Sequence, residues 1–124
     1  FVIDNLAGYD ITWPVVFDTE EITSYAAARA NKLSIEDRTA CTKAFLEEIK
    51  AAGYTPMLYA NTRWSILNLD LAELSEYDFW YAYYGDDIYY PYQFSMWQYT
   101  SSGKVNGIKG NADLNISFKN YGEQ

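Results

Sequence analysis

Three short apolar runs, Trp13 to Thr19, Pro56 to Ala60 and Asp78 to Tyr83, are separated by segments of helical periodicity. That alternation constrains the fold more than any other feature of the chain. Strands joined through helices run parallel, because the crossover carries the chain back along the sheet before the next strand begins. The pattern predicts an α/β fold, a barrel or an open sheet. After the third run the pattern changes. Phe94 to Tyr99 reads as a fourth strand, Ser101-Ser102-Gly103-Lys104 as a turn, and Val105 to Ile116 as one or two closing strands. Early βα units are thus followed by strands only.

Local signals place the helices. Ser34 can cap a helix with acids in its first turn, Cys41, Thr42, Phe45, Leu46, Ile49 and Ala52 recur at helical spacing, and Gly53 ends it. Thr62 is the expected cap of a second helix running to about Leu69. Phe1 to Asp10 reads as the tail of a helix stopped by Gly8. With 124 residues and 49% hydrophobic content, the chain is a single domain's worth, 1–124, with enough apolar material for a packed core.

Charge narrows the chemistry. A formal charge of −8 would repel a nucleic-acid duplex, so no nucleic-acid partner is expected. The chain has no histidine, which removes Ser-His-Asp and Cys-His catalysis and the commonest metal ligand; carboxylates remain as the acid–base groups near neutral pH. No metal or cofactor is expected. Cys41 is alone and is read as a buried, inert thiol. No apolar run approaches the roughly 20 residues that span a bilayer, so no membrane partner is expected either. Aromatic content of 19%, with 13 Tyr and 4 Trp, exceeds what a core requires and suits a wet, aromatic-lined groove.

Within PVVFDTEE, residues 14–21, Asp18 and Glu20 share a strand face while Thr19 and Glu21 point the other way. In parallel α/β folds, ligands and catalytic groups gather at the carboxyl ends of strands, where these two acids fall. Neighbouring carboxyls raise one another's pKa, so one can keep a proton to donate, as glycosidic cleavage requires of its general acid. Same-face Cα atoms in a strand lie about 6.7 Å apart, a spacing that does not choose between retaining and inverting geometries. Two surface acids solvating a loop would look the same.

Four blocks in order, PVVFDTE, GYTPMLYAN, YDFWYAYY and FSMWQYTSSGKVNGIKGNADLN, resemble the glycoside hydrolase family 25 muramidases over nearly the whole chain. The resemblance implies a peptidoglycan hydrolase (lysozyme) of the extracellular cell wall. Its substrate would be peptidoglycan glycan strands, cut at the β-1,4 bond between N-acetylmuramic acid and N-acetylglucosamine. It matches Glu20 to the proton donor, Asp18 to its partner, which assists through the substrate's own acetamido group, and Asp113 of GNADLN to a further active-site acid. Tyr59, Asn61, Trp80, Trp97, Gln98 and Tyr99 are the expected sugar-binding residues, with Ala82 on the same face as Trp80. Trp97 and Gln98 cannot share a face of an unbroken strand. A cell-wall carbohydrate-binding module that kept this fold without turnover is the alternative.

Family members are longer at the amino end, where a first strand with a D-[VI]-S type motif supplies another acid. Against that pattern, the expectation is a partial TIM-like (β/α) barrel, the C-terminal portion of the catalytic domain with the N-terminal strands missing. Five or so strands are too few for the eight of a closed barrel. The strand at 14–19 would then be a bare edge, open to self-association with a second copy.

Overall fold

The computed structural model describes residues 1–122. One five-stranded sheet has the order β1 (Val15–Asp18), β2 (Pro56–Asn61), β3 (Asp78–Ala82), β4 (Met96–Gly103), β5 (Ala112–Ser117). The first four strands are parallel and β5 is antiparallel to β4. Strands β1 and β5 are the two edges, so the sheet is an open segment of barrel. Helix α1 (Val2–Leu6) precedes β1, α2 (Ile35–Ala51) links β1 to β2, and α3 (Thr62–Asn68) follows β2 directly.

The β3–β4 crossover holds no helix. Its tyrosines cover the sheet instead: Tyr90 stacks on Tyr81 at 4.2 Å between ring centroids, and Phe94 lies 5.2 Å from the same ring. Strand alternation sorts the core into two. Leu58, Ala60, Phe79 and Tyr81 face the helices and pack with Leu46 of α2 and Trp64 of α3. Met57 and Met96, with Val16 and Trp80 beside them, occupy the opposite face together with Tyr121.

Helix α2 starts and stops where its sequence says. Ser34 Oγ accepts the Asp37 N–H at 3.0 Å, and Gly53 takes φ 89° while the Gly53 and Tyr54 N–H groups close back on the Lys50 and Ile49 carbonyls. Its buried face departs from the apolar reading. Arg38, Thr39, Thr42, Leu46 and Ile49 are buried, and Cys41 is exposed rather than a buried thiol. The cause is polar: the Arg38 guanidinium donates to the carbonyls of Asn68, Ala30 and Leu33 and lies over the Trp64 ring, turning that side of the helix inward.

Two further expectations are corrected. Asn61, not Thr62, caps α3, its Oδ1 accepting the Trp64 N–H at 2.8 Å, while Thr62 Oγ1 pairs with the Tyr81 hydroxyl. Ser101 to Gly103 belong to β4, which runs on through two irregularities in its pairing with β5, and the turn follows. Gly103 is there because Leu114 packs onto it: a Cβ would lie 2.4 Å from Leu114 Cγ.

Candidate active site

Register aligns the site across the sheet. Asp18 pairs with Tyr59 and Tyr59 with Trp80; one step toward the carboxyl ends of the strands, Asn61 pairs with Ala82, Ala82 with Gln98 and Gln98 with Asn115. Side chains two apart on a strand share a face. Asp18, Tyr59, Trp80, Ala82, Gln98 and Asn115 therefore line one face, opposite the helices. Glu20 lies just past the end of β1, and Thr19 between the two acids turns the other way. The Thr19 Oγ1 accepts the Trp64 indole N–H at 2.8 Å and its backbone N–H donates to the Tyr59 carbonyl at 3.1 Å. These two bonds hold the acid-bearing segment to β2 and α3.

The acids are open to solvent yet perturbed. Partial burial pushes the Asp18 carboxyl above the usual range. Glu20 is also raised, by partial burial first and then by the charge of Asp18. The Tyr59 phenol is held well above its ordinary value by burial, then by Tyr84, Glu20 and Asp18, so it stays protonated throughout the physiological range. The two carboxyls and Tyr59 thus form one electrostatic group. Glu20, its proton retained to higher pH than a free glutamate's, is fitted to donate.

Aromatic and amide groups form the floor. Trp80 packs edge-on against Tyr59 at 5.0 Å, and its indole N–H donates to Asn115 Oδ1 at 2.9 Å. The hydroxyls of Tyr59 and Tyr84 both donate to Gln98 Oε1, the former at 3.0 Å. Asp113 stands exposed on β5, two residues from Asn115 and on the same face.

Other expected residues are placed elsewhere. Trp97 lies on the helix side, packed against that core and donating its indole N–H to the Tyr83 carbonyl, and the exposed Tyr99 ring lies 5.7 Å from it. Alternation excludes Trp97 from the face that carries Gln98, and Tyr99 falls in the irregularity between Gln98 and Thr100. Asn61 spends its Oδ1 on the α3 cap. Conversely, Tyr84, Asn115 and Thr19 belong to the arrangement although none was a candidate. Asn115 could have been found two positions after Asp113, on the same strand face; Tyr84 lies beyond the end of β3, where alternation carries no information. A cavity of about 730 Å³ opens at the other end of the strands among Leu74, Asp78, Phe94, Ser95 and Phe118, away from the acids.

The family model "Glycosyl hydrolases family 25" matches residues 1–108, a range that includes every residue of this face except Asp113 and Asn115. No curated protein matches the chain. Among solved structures, the chain is similar to the CTP1L endolysin, with 26% identity and a TM-score of 0.73 over 94% of this chain and 39% of that one. The modular autolysin LytC from Streptococcus pneumoniae shares the fold at 24% identity and a TM-score of 0.73, covering 92% of this chain and 28% of LytC. The spore cortex lytic enzyme SleM of Clostridium perfringens does so at 22% identity and 0.65, covering 82% of this chain and 36% of SleM. The chain therefore spans well under half the length of each of these proteins.

Proposed function

The chain belongs to glycosyl hydrolases family 25, and from that membership we propose that it carries the acid pair of a peptidoglycan hydrolase acting at the cell wall. The bond cut is the β-1,4 link between N-acetylmuramic acid and N-acetylglucosamine. In this reading the chain is the C-terminal portion of the catalytic barrel. Glu20 protonates the leaving oxygen. Asp18 orients and polarises the acetamido group of the sugar on the other side of the scissile bond, whose carbonyl oxygen attacks the anomeric carbon. Asp113 adds negative charge at the far edge of the face.

One observation carries the assignment: Asp18 and Glu20 stand together at the carboxyl end of β1, and Glu20 is raised both by burial and by Asp18. That is the asymmetry a proton donor with a charged neighbour needs. The similarity to the CTP1L endolysin and to LytC, whose structure is also known in complex with a synthetic peptidoglycan ligand, supports the substrate class.

The test is release of reducing ends from purified peptidoglycan by the complete protein that contains this sequence, beside its Glu20→Gln variant. General-acid catalysis contributes about 10²–10⁴-fold, so the variant is expected to lose activity on that scale. Equal rates for the two proteins would remove Glu20 from the role. Binding of glycan without any release by the unaltered protein would make it a carbohydrate-binding module.

A further inference from the structure

Gln98 is 4% exposed, yet only half of its amide is used. Its Oε1 accepts two hydroxyls, from Tyr59 on β2 and Tyr84 after β3, while among the described residues its Nε2 has no hydrogen-bond partner. A carbonyl oxygen has two lone pairs, and both are taken. With both hydroxyls donating to Oε1, the amide as it stands presents Nε2 as its free, donor end. Tyr59 stays protonated, which keeps it a permanent donor.

The sequence builds this arrangement with some care. Ala82 occupies the position between Tyr59 and Gln98 on this face, and its methyl group leaves the span across β3 open. Tyr84 is set by the segment before it: the Tyr83 N–H donates to the Gln98 carbonyl, and the Tyr83 carbonyl accepts the Trp97 indole. Tyr83 itself stacks on Tyr81 on the helix side. Gly85 makes room for that fold-back, since a Cβ there would lie 2.5 Å from the Tyr83 hydroxyl. Consecutive tyrosines are thereby directed to opposite faces, and Tyr84 reaches Gln98.

The geometry points to Gln98 as the residue that selects N-acetylated sugar, its Nε2 donating to the acetamido carbonyl of the bound glycan, with Tyr84 as the positioning residue that orients the amide. This rests on the glycan-binding reading above. A donor-only group on a buried, preset side chain matches a carbonyl oxygen and offers nothing to an ammonium.

The experiment measures binding, by calorimetry, of peptidoglycan glycan strands and of the same strands after chemical de-N-acetylation. It uses the complete protein made non-hydrolysing by Glu20→Gln. Adding Gln98→Glu keeps both tyrosine hydroxyls satisfied but replaces the donor with an acceptor. Affinity for the N-acetylated strand is expected to fall about ten-fold or more, while affinity for the de-N-acetylated strand holds or rises. Adding Tyr84→Phe instead, at a half-exposed ring that disturbs no core, is expected to lose roughly three-fold on the N-acetylated strand alone. If both variants keep the parent's ratio of affinities for the two strands, Gln98 does not read the acetamido group and the inference is overturned with the hydrolase reading intact. If the parent binds neither strand, both fall.

Discussion

The Thr19→Val substitution tests how the acids are held. Thr19 is 9% exposed and Trp64 7%, and their side chains share a 2.8 Å hydrogen bond inside the sheet–helix layer. Valine keeps the shape of threonine and deletes the acceptor, leaving the indole N–H buried without a partner. An orphaned buried donor costs about 1–3 kcal/mol, whereas removing both partners together is much closer to neutral. The complete protein carrying Thr19→Val should therefore lose that amount in a urea or guanidinium melt, with the m-value unchanged. In a Trp64→Phe background the same change should cost at least about 1 kcal/mol less, the difference being the coupling energy of the pair. The bond also sits between Asp18 and Glu20, so the hydrolysis rate should drop further than the stability loss alone implies. Displacing reacting groups by about 1 Å can cost on the order of 10²-fold. A loss below about 0.5 kcal/mol, or an equal loss in both backgrounds, would refute the idea that this bond anchors the strand end.

The remaining predictions follow from the same side chains. Activity should fall as pH rises through the elevated pKa of Glu20, where the donor proton is lost; Asp18→Asn removes one cause of that elevation and should move the alkaline limb of kcat/KM to lower pH. An unmoved limb would separate the two groups. Because Asp18 is raised in the folded state, its charged form is disfavoured by folding: the penalty is absent below the ordinary carboxylate pKa and grows as pH rises through the folded value. Asp18→Asn should accordingly raise the denaturation midpoint at neutral pH and leave it unchanged near pH 3, of which two melts are a sufficient check. Asn61→Ala removes the α3 cap and should destabilise by about 0.5–2 kcal/mol in a denaturant melt.

Much of this fold was legible without coordinates. Hydrophobic period separated strands from helices, and Ser34, Gly8 and Gly53 marked helix ends through caps and left-handed turns that are local properties of the backbone. The misreadings share a cause. Cys41 was judged by its own polarity, but the helix face is chosen by Arg38, which finds three carbonyls that belong to other parts of the chain. Thr62 and Asn61 are both cap types, asparagine the better; what decides is that β2 runs straight into α3, so the last strand residue is already the cap. Gly103 looked like a turn residue because glycine often is one, whereas here it yields space to Leu114.

The site divides along the same line. The sequence by itself, lacking histidine, left carboxylates as its acid–base groups near neutral pH, and it put Asp18 and Glu20 on one side of a strand end, because alternation is a property of the strand alone. Family membership followed from the order of its blocks. Only the tertiary structure decided which aromatics and amides share the acids' face, since that depends on register between strands distant in sequence: it gathered Tyr59, Trp80 and Gln98, sent Trp97 to the helix side, and brought in Tyr84 from a loop. The raised carboxyl of Glu20 and the orientation of the Gln98 amide are likewise tertiary, because burial and two-sided hydrogen bonding arise only when separate segments close around a group.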